Sequence, residues 1–392
     1  MRIGILTFHN SRNFGANLQS LATQEMLRKL GHEPVMVNYI DAAKLAALDQ
    51  MNSPEQIAKH EDFAERYYSL SQPLRSPEEV ADYCCEELDG VVAGSDAVFR
   101  LATPYQPKRM VKKLLGHQSH FSALSWDDRV PPFFLPFEAP KVIKGSIAAS
   151  SRGTPFYFLR PSMMWQVGKA LRGFDFVTVR DEWTGNMVRW LSAGAVKPHY
   201  CPDPVFGLNS AFDLPEDEKP TEDLSRAILL TGNFDKDWLK RMVAAIHAHG
   251  YRAVTLANPH EKETHDFVDD VLGLPMSPLR WYACLSSCAG FIGMRFHAFV
   301  SCVANRTPVV TMDVAKPMFR RYDARNPNFD LANRIGIHQN YFLRRDLMTT
   351  APEVVLERLF DVDMLSGASA YAGQAPSMLF GVLGRFCTHG GQ

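Results

Sequence analysis

Short apolar runs alternate with longer segments of helical periodicity along most of this chain. Arg2–Phe8 is an apolar run that predicts a buried strand, and Leu18–Leu30 carries apolar residues three and four positions apart, as one face of a helix does. Gly31 ends that helix, and Glu33–Tyr39 predicts the next strand. A strand, a helix and a second strand in this order predict a parallel βαβ unit at the start of the chain.

The same alternation continues through the first half of the chain. It predicts further strands at Gly90–Ala93, Val142–Ala148, Phe176–Val179 and Ala195–His199. Asp41–Leu70 is mostly helical in pattern and charged. Ser76 followed by Pro77 and two acids predicts the start of a helix, and Glu182–Leu191 predicts another.

A polar, acidic and proline-bearing stretch, Asn209–Ser225, interrupts the alternation and is the predicted linker. After it, strands are predicted at Ala227–Leu230, Tyr251–Leu256, Gly290–Gly293 and Pro308–Met312. Helices are predicted at Asp235–His249, Ser277–Cys288, Ala298–Ala304 and Glu353–Leu365. The Gly- and Ala-rich tail, Gly367–Gln392, is predicted to be partly loose.

These elements predict an α/β protein with two Rossmann-like domains facing across a cleft. The N-terminal domain comprises residues 1–208, the linker 209–225 and the C-terminal domain 226–350, followed by a helix and tail at 351–392. A chain of 392 residues is too long for one ordinary core, which also favours two domains.

The turn Met294–His297 carries the most specific candidate chemistry, because it joins a predicted buried strand to a predicted helix. Ligands of open α/β sheets bind at the carboxyl ends of strands, and a helix N-terminus suits an anion. Arg295 offers a planar fork for carboxylate or phosphate, and His297 titrates near neutral pH. The alternative is an exposed arginine and a satisfied histidine on a loop.

Two predicted strand ends of the N-terminal domain carry further candidates. The loop after the first strand contains His9, Asn13 and Asn17 and matches neither a GxGxxG nor a Walker pattern. The strand Gly90–Ala93 runs into Gly94, followed by Ser95 and Asp96. Their position predicts the wall of a site. The alternatives are a surface loop with Asn17 as helix N-cap, and a tight turn capped by Ser95 or Asp96.

Arg180 follows another predicted strand and precedes the helix Glu182–Leu191. The helix dipole disfavours a cation in a first turn, so a bound anion would explain Arg180 there. A salt bridge between Arg180 and a nearby acid is an equal alternative. If Arg180, Arg295 and His297 converge in the predicted cleft, they would bind an anionic substrate there.

Composition narrows the classes of function. The formal net charge of -1 gives no support to a nucleic-acid partner, and 46% hydrophobic with 22% charged residues is typical of a globular protein. No apolar run is long enough to span a bilayer, and Ile3–Phe8 is too short for a signal peptide. Seven cysteines, an odd number, predict reduced thiols in the cytoplasm, with Cys284 and Cys288 buried as small hydrophobes.

A long aromatic and Pro-rich segment, residues 101–140, predicts an insertion of the kind that forms lids and binding loops. It contains His117 and His120, but no set of partners has metal-ligand spacing, and neither does Cys84 with Cys85. No metal site is predicted.

Several stretches resemble, in order, the motifs of the polysaccharide pyruvyl transferase family. They are FHNSRNFGANLQSLA at Phe8–Ala22, VVAGSDAVF at Val91–Phe99, VTVRDEW at Val177–Trp183, CPDPVF at Cys201–Phe206 and FIGMRFHAFVSCVANRTPVV at Phe291–Val310. The resemblance covers roughly three quarters of the chain, and its most specific part is the Arg-x-His before an apolar helix. The insertion at 101–140 matches nothing in that pattern.

The resemblance implies a GT-B-like fold and an enzyme that moves pyruvate from phosphoenolpyruvate to a sugar diol as a cyclic ketal, releasing phosphate. In that reaction Arg180 and Arg295 would bind phosphoenolpyruvate, and His297 would supply the proton. Asp96 or His9 would act as the base. Asn13 and Asn17 are the expected sugar contacts, with His9 and Ser95 beside them.

The family implies no metal or other cofactor. The expected location is the cytoplasm, or the inner membrane face if the acceptor is lipid-linked, where the basic loop Lys316–Arg321 would assist. A solvated loop without that role is the favoured interpretation of Lys316–Arg321. One alternative is a GT-B glycosyltransferase that uses a nucleotide sugar. Another is a non-catalytic anion- or glycan-binding protein on the same scaffold.

Overall fold

The computed structural model describes residues 1–102, 129–256, 266–314 and 326–389. The chain forms two compact units: Met1–Ala211 with Ser377–Gln392, and Phe212–Pro376. Most of the predicted insertion (103–128, with His117 and His120) and the basic loop Lys316–Arg321 lie outside the described residues.

A parallel sheet of four strands forms the centre of the first unit, in the order β2-β1-β3-β4. The strands are β1 (Arg2–Leu6), β2 (Glu33–Met36), β3 (Gly90–Ala93) and β4 (Ile143–Ser146). Two short strands, β5 (Thr178–Val179) and β6 (His199–Tyr200), pair with each other, and single parallel bridges join β5 to the segment of β4. The predicted parallel βαβ unit is confirmed by the pairing of β1 with β2.

Helices flank this sheet at Phe14–Lys29, Ala42–Asp49, Pro54–Tyr67, Pro77–Glu87, Pro161–Arg172, Glu182–Leu191 and Leu208–Ala211. The first helix begins at Phe14, earlier than the predicted Leu18, and its N-cap is Asn13 rather than Asn17. The Asn13 carboxamide accepts a hydrogen bond from the Ala16 amide, which satisfies a free N–H group of the first turn. The predicted helix start at Ser76 is confirmed, with Ser76 as the N-cap.

The second unit contains a parallel sheet of six strands in the order β12-β11-β10-β7-β8-β9. Its strands are β7 (Ala227–Thr231), β8 (Arg252–Leu256), β9 (Asp270–Leu272), β10 (Gly290–Gly293), β11 (Val309–Asp313) and β12 (Tyr341–Leu343). Helices lie at Lys236–Ala248, Pro278–Ser287, Phe296–Ala304, Pro327–Arg334, Arg344–Thr349 and Pro352–Leu359. The predicted strands of this half are therefore confirmed, and β9 and β12 are additional.

The C-terminal part of the chain differs from the prediction. Glu353–Leu365 is not one helix, because the helix Pro352–Leu359 ends and Asp361 caps a new one by accepting from the Met364 amide. The tail expected to be partly loose forms the helices Val362–Leu383 and Arg385–His389. Its order has a physical cause, since Leu379, Leu383 and Phe386 are fully buried.

Apolar side chains on both faces of each sheet form the cores, as expected for parallel strands covered by helices. All seven cysteines are free, and the predicted burial of Cys284 and Cys288 is confirmed. In the described parts of the chain, no helix is both long enough and apolar enough to cross a bilayer. The same residues contain no group of three His, Cys, Asp or Glu side chains that could share a metal ion.

Candidate functional site

The carboxyl ends of three strands in the first unit bring Asp96, Ala149 and Arg180 into one neighbourhood. Asp96 follows β3 and pairs through a parallel bridge with Ala149, which follows β4. Ala149 in turn pairs with Val179 at the end of β5, one residue before Arg180. Two of the predicted site residues, Asp96 and Arg180, are thereby brought together at this edge of the sheet.

Arg180 is held between two carboxylates. Its Nη1 donates to Asp203 Oδ2 at 2.8 Å, and its Nη2 donates to Asp96 Oδ1 at 3.2 Å. The Arg180 and Asp203 side chains are 6% and 2% exposed, whereas the Asp96 side chain is 21% exposed. The salt bridge that the sequence left open as an alternative is therefore present, with Asp96 as its more accessible partner.

These carboxylates also set the protonation state of Arg180. Burial alone lowers its pKa, but the charges of Asp96, Asp203 and Asp181 together raise the pKa above its ordinary value. Asp181 caps the following helix through a 2.7 Å hydrogen bond from the Thr184 amide to its Oδ1. Its Oδ2 accepts from the Ser150 hydroxyl, also at 2.7 Å. Arg180 thus remains a fixed cation in a network that joins three strand ends.

Three residues at the same edge have a strained backbone. Asp96, Ala148 and Arg152 have φ values of 69°, 47° and 48°, which side chains other than glycine seldom adopt. Each such residue raises the free energy of the fold by about 1–3 kcal/mol, and such residues cluster at functional sites. The strain supports a functional role for the carboxyl ends of β3 and β4.

Three predicted acceptor contacts of the first unit are buried. His9 Nε2 lies 3.1 Å from Asn38 Oδ1, and burial lowers the pKa of His9, which keeps the ring neutral. The Asn17 side chain donates to the His9 carbonyl at 2.8 Å, and the Ser95 hydroxyl donates to the Ala148 carbonyl at 2.9 Å. His9, Asn17 and Ser95 therefore support the strand ends internally, and their contact with a sugar stays a prediction.

Asn13 and Asp96 are the predicted acceptor-side residues with more accessible side chains. Asn13 is exposed at the start of the helix Phe14–Lys29, although its side-chain oxygen caps that helix. The sequence placed Asn13 in the loop after the first strand and Asp96 directly after the strand Gly90–Ala93, and the structure agrees with both positions. Their roles toward a substrate stay predictions.

In the second unit, Arg295 occupies the N-cap position of the helix Phe296–Ala304 and makes no side-chain capping bond. Arg295 is exposed and His297 is partly buried in the first turn. The strand β10 ends at Gly293, directly before this turn, as the sequence predicted. First-turn backbone N–H groups that have no acceptor within the helix, a guanidinium and an imidazole therefore lie at one carboxyl strand end, a combination suited to a small dianion.

Sequence reasoning missed two polar residues beside this turn. Asn328 Nδ2 donates to Asp313 Oδ1 at 3.2 Å and lies 3.5 Å from the Met294 carbonyl. Burial raises the pKa of Asp313 to about 7, although hydrogen bonds from Asn328, Tyr341 and Asn326 lower it in part. The available signal was an apolar strand, VVTMD, that ends in an acid, as β3 ends before Gly-Ser-Asp.

Four buried polar atoms in this region have no hydrogen-bond partner among the residues that the structure describes. Gly293 of β10 lies in register between Thr231 of β7 and Thr311 of β11, so the two threonines flank it. The atoms are Thr231 Oγ1, Thr311 Oγ1, Asp313 Oδ2 and Asn328 Oδ1. Buried polar groups are nearly always satisfied, so this edge suits water or a polar ligand.

Comparisons with known proteins agree with this description. The model of a family described as polysaccharide pyruvyl transferase matches residues 13–316, which is more than half of the chain. A search of curated proteins finds no match.

Three solved structures indicate the fold. UDP-GlcNAc 2-epimerase from Neisseria meningitidis, bound to UDP-GlcNAc, has a TM-score of 0.55 and 10% identity, over 99% of this chain and 100% of that one. The S. aureus MnaA-UDP co-structure scores 0.51 at 11% identity, over 99% and 97%. UGT89C1 of Arabidopsis thaliana scores 0.51 at 8% identity, over 98% and 99%. At such low identities the similarity shows the fold alone. These structures confirm the predicted GT-B-like fold with two Rossmann-like units.

Proposed function

The chain belongs to the polysaccharide pyruvyl transferase family, and we propose that it transfers pyruvate from phosphoenolpyruvate to a hydroxyl pair of a saccharide. The product is a cyclic ketal, and phosphate is released. The acceptor is a glycan or a lipid-linked sugar in the synthesis of an exopolysaccharide or cell-surface polysaccharide. The proposal places the enzyme in the cytoplasm, or at the inner membrane face for a lipid-linked acceptor, and includes no cofactor.

The observation that carries this proposal is the turn after β10. Arg295 at an N-cap position and the first-turn N–H groups of the helix Phe296–Ala304, which have no acceptor within the helix, offer donors to a phosphate or a carboxylate. His297 lies two residues after Arg295, in the first turn of the same helix. A bound anion raises the pKa of an adjacent imidazole and favours the protonated form that an acid catalyst needs.

In the proposed reaction His297 gives its proton to the vinyl carbon of phosphoenolpyruvate, which becomes a methyl group. The oxocarbenium-like carbon is attacked by the first sugar hydroxyl, and the second hydroxyl displaces phosphate by breaking the carbon–oxygen bond. Two hydroxyl protons are released in all. One replaces the proton that His297 gave, and the other leaves with phosphate.

Residues of the first unit complete the assignment. Arg180 is proposed as the second cation that binds phosphoenolpyruvate, and Asp96 as the base that accepts a hydroxyl proton. Their mutual ion pair supports the second role, because it holds a partly exposed carboxylate at a strained strand end. Asn13 is the proposed sugar contact with an exposed side chain. His9, Asn17 and Ser95 are proposed acceptor-side residues whose buried side chains hold the strand ends in place.

Ligand-dependent thermal stability tests the donor. Phosphoenolpyruvate at about one hundred times its dissociation constant should stabilise the wild type by roughly 2.7 kcal/mol. Arg295→Ala should abolish that stabilisation. Arg241→Ala removes an exposed arginine from another helix of the same unit and should leave the effect intact. His297→Ala should still bind phosphoenolpyruvate but lose about 10²–10⁴-fold in turnover, and a loss below tenfold would reject His297 as the acid.

The same assay distinguishes the proposed reaction from the main alternative, glycosyl transfer from a nucleotide sugar. Stabilisation by a nucleotide sugar, with none by phosphoenolpyruvate, would assign the chain to a glycosyl transfer and overturn the roles of His297 and Arg180. Stabilisation by phosphoenolpyruvate without turnover on any saccharide would instead support a non-catalytic binding protein.

A further inference from the structure

A small cavity opens at the carboxyl ends of β1 and β2 in the first unit. Phe8 follows β1, Tyr39 follows β2, and the helix Ala42–Asp49 lies beside them. The cavity volume is about 40 Å³, and the residues that matter to its chemistry are Phe8, Asn10, Tyr39, Asp41, Lys44 and Phe133. A water molecule needs about 10–15 Å³ of such volume, so the cavity has room for a few waters or for a hydroxymethyl-sized group.

Lys44 is the unusual member of this lining. Its Nζ lies 3.4 Å from the centroid of the Phe8 ring. Burial lowers its pKa to about 8, even though Asp96 and Asp41 raise it, and Arg100 lowers it further. Among the described residues, none accepts a hydrogen bond from the Lys44 ammonium, which has three N–H donors. A partly buried ammonium beside a cavity, with no acceptor among the described residues, is a site for oxygen acceptors.

The other side chains that line the cavity determine which class of ligand fits it. Phe8 and Phe133 contact each other edge to face, with ring centroids 4.8 Å apart, and Tyr39 lies 6.2 Å from Phe133. Aromatic surface of this kind suits the apolar face of a ligand, while a few polar groups fix its orientation. Asp41 and Asp96 carry negative charge close to Lys44, which disfavours a phosphate or another polyanion. A neutral ligand with many hydroxyls matches both the rings and the charges.

We propose that this cavity is a subsite for the hydroxymethyl group of a neutral saccharide, in which Lys44 donates to a hydroxyl oxygen of the sugar. The inference rests on the proposed function in that the saccharide is the pyruvyl acceptor, and it adds a residue and a place for that acceptor. The Thr7 hydroxyl, in the wall of the cavity, donates to the Ser95 carbonyl at 3.3 Å, so the subsite lies next to the strained strand end that pairs with Arg180.

Saturation-transfer NMR with a panel of methyl hexopyranosides, used one at a time and without phosphoenolpyruvate, tests the subsite directly. At least one glycoside should receive signal from the wild type. Lys44→Met keeps the length and packing of the side chain but removes the donors. It should weaken the dissociation constant by roughly 10- to 100-fold, since a hydrogen bond from a charged group contributes that much. Its melting temperature should not fall, because a partly desolvated charge is removed.

Two further variants serve as a control and as a second test of the cavity. Lys240→Met removes a lysine whose Nζ lies 5.2 Å from the Phe267 ring in the second unit, and it should bind the glycoside as the wild type does. Leu48→Phe fills the cavity from its wall while keeping Lys44, and it should block binding. A wild type that binds no glycoside of the panel, or a Lys44→Met variant that binds as well as the wild type, overturns the proposal.

The failure of this inference is distinguishable from failure of the proposed function. Glycoside binding that depends on Lys44, together with no stabilisation by phosphoenolpyruvate, would leave the subsite in place and remove the pyruvyl reaction. Stabilisation by phosphoenolpyruvate with glycoside binding unaffected by Lys44→Met and Leu48→Phe would do the opposite.

Discussion

Asp313 ends the buried strand β11 and lies beside the Met294–His297 turn. Burial raises the pKa of its carboxyl group to about 7. An acid with a raised pKa in the folded state binds its proton more tightly there than in the unfolded chain. The folded protein therefore keeps its full stability at a pH below about 4, the pKa of this group in the unfolded chain. Stability is then lost as the pH rises toward 7, where the buried carboxyl group ionises. Each pKa unit corresponds to about 1.4 kcal/mol.

The variant Asp313→Asn should remove this loss. We expect it to match the wild type near pH 4 and to be more stable at pH 8, by an amount on the order of 2–4 kcal/mol. Asparagine still accepts from Asn328, so the local hydrogen bond survives. Thermal unfolding at several pH values measures the difference, and Asp363→Asn, which removes an exposed acid of the same unit, should show no such trend. An Asp313→Asn advantage that is constant with pH would contradict the assignment.

Residues of the candidate site differ in how well the sequence predicted them. The sequence predicted Arg180 and Arg295 at strand ends because apolar runs end directly before them. It did not predict that Asp203, 23 positions after Arg180, is the buried partner of that arginine. Nor did it indicate Lys44, since the cavity beside it is built from side chains far apart in the chain, such as Phe8 and Phe133. Pairings over such separations depend on packing, which a local pattern does not encode.

The loop after β1 is tied to the helix Pro54–Tyr67 by a set of buried hydrogen bonds. His60 Nδ1 lies 2.9 Å from Asn17 Oδ1, and the Tyr68 hydroxyl donates to the Asn17 carbonyl at 2.9 Å. His60 also stacks on Phe14, with ring centroids 5.2 Å apart. This explains why the helix begins at Phe14: Asn17 points inward and holds two elements together, while Asn13 takes the capping role.

Acid should loosen this connection. Burial first, and then the charge of Arg12, lower the pKa of His60 to about 4. A histidine with a lowered pKa contributes stability above its unfolded value near 6.5, and that contribution is lost as the pH falls toward 4. Glutamine does not titrate. Between pH 7 and pH 4.5 the free energy of unfolding of His60→Gln should therefore fall by on the order of 2 kcal/mol less than that of the wild type.

Chemical denaturation at both pH values measures that difference. His338→Gln provides the control, because His338 is exposed in the second unit and should leave the acid sensitivity of the wild type unchanged. Equal acid sensitivity of His60→Gln and the wild type would show that other groups control the stability of this connection in acid.

Elements were predicted best where periodicity extends over several residues. The helix Glu182–Leu191 and the strands Gly90–Ala93 and Gly290–Gly293 have the predicted bounds. The strands β9 and β12 contain three residues each, which is too short for an alternating pattern to be recognised. The tail was misjudged because glycine and alanine suggested looseness, whereas its leucine and phenylalanine side chains are buried by packing.

At the scale of the whole molecule, the two compact units are not two continuous stretches of sequence. Ser377–Gln392 belongs to the first unit together with Met1–Ala211. The ring of Phe386 lies 5.3 Å from that of Phe176, and a Cβ atom added to Gly90 in β3 would lie 2.7 Å from Phe386 Cε1. The C-terminal segment therefore completes the core beside β3, whose carboxyl end carries Asp96, and beside Phe176, which precedes β5. A pattern along the chain does not predict such a return, because it records neighbours in sequence only.

Removing this contact should destabilise the first unit and spare the second. Phe386→Ala deletes a fully buried ring and should cost about 3–5 kcal/mol, since the cavity it leaves is enclosed by Gly90 and Phe176. Hydrogen exchange followed by mass spectrometry should then be faster in β1 and β3 but unchanged in β7 and β10. Phe380→Ala deletes a half-buried ring from the preceding helix and should have a smaller effect. Faster exchange in both units after Phe386→Ala would mean that they unfold together, and the C-terminal segment would then stabilise the whole molecule rather than one unit.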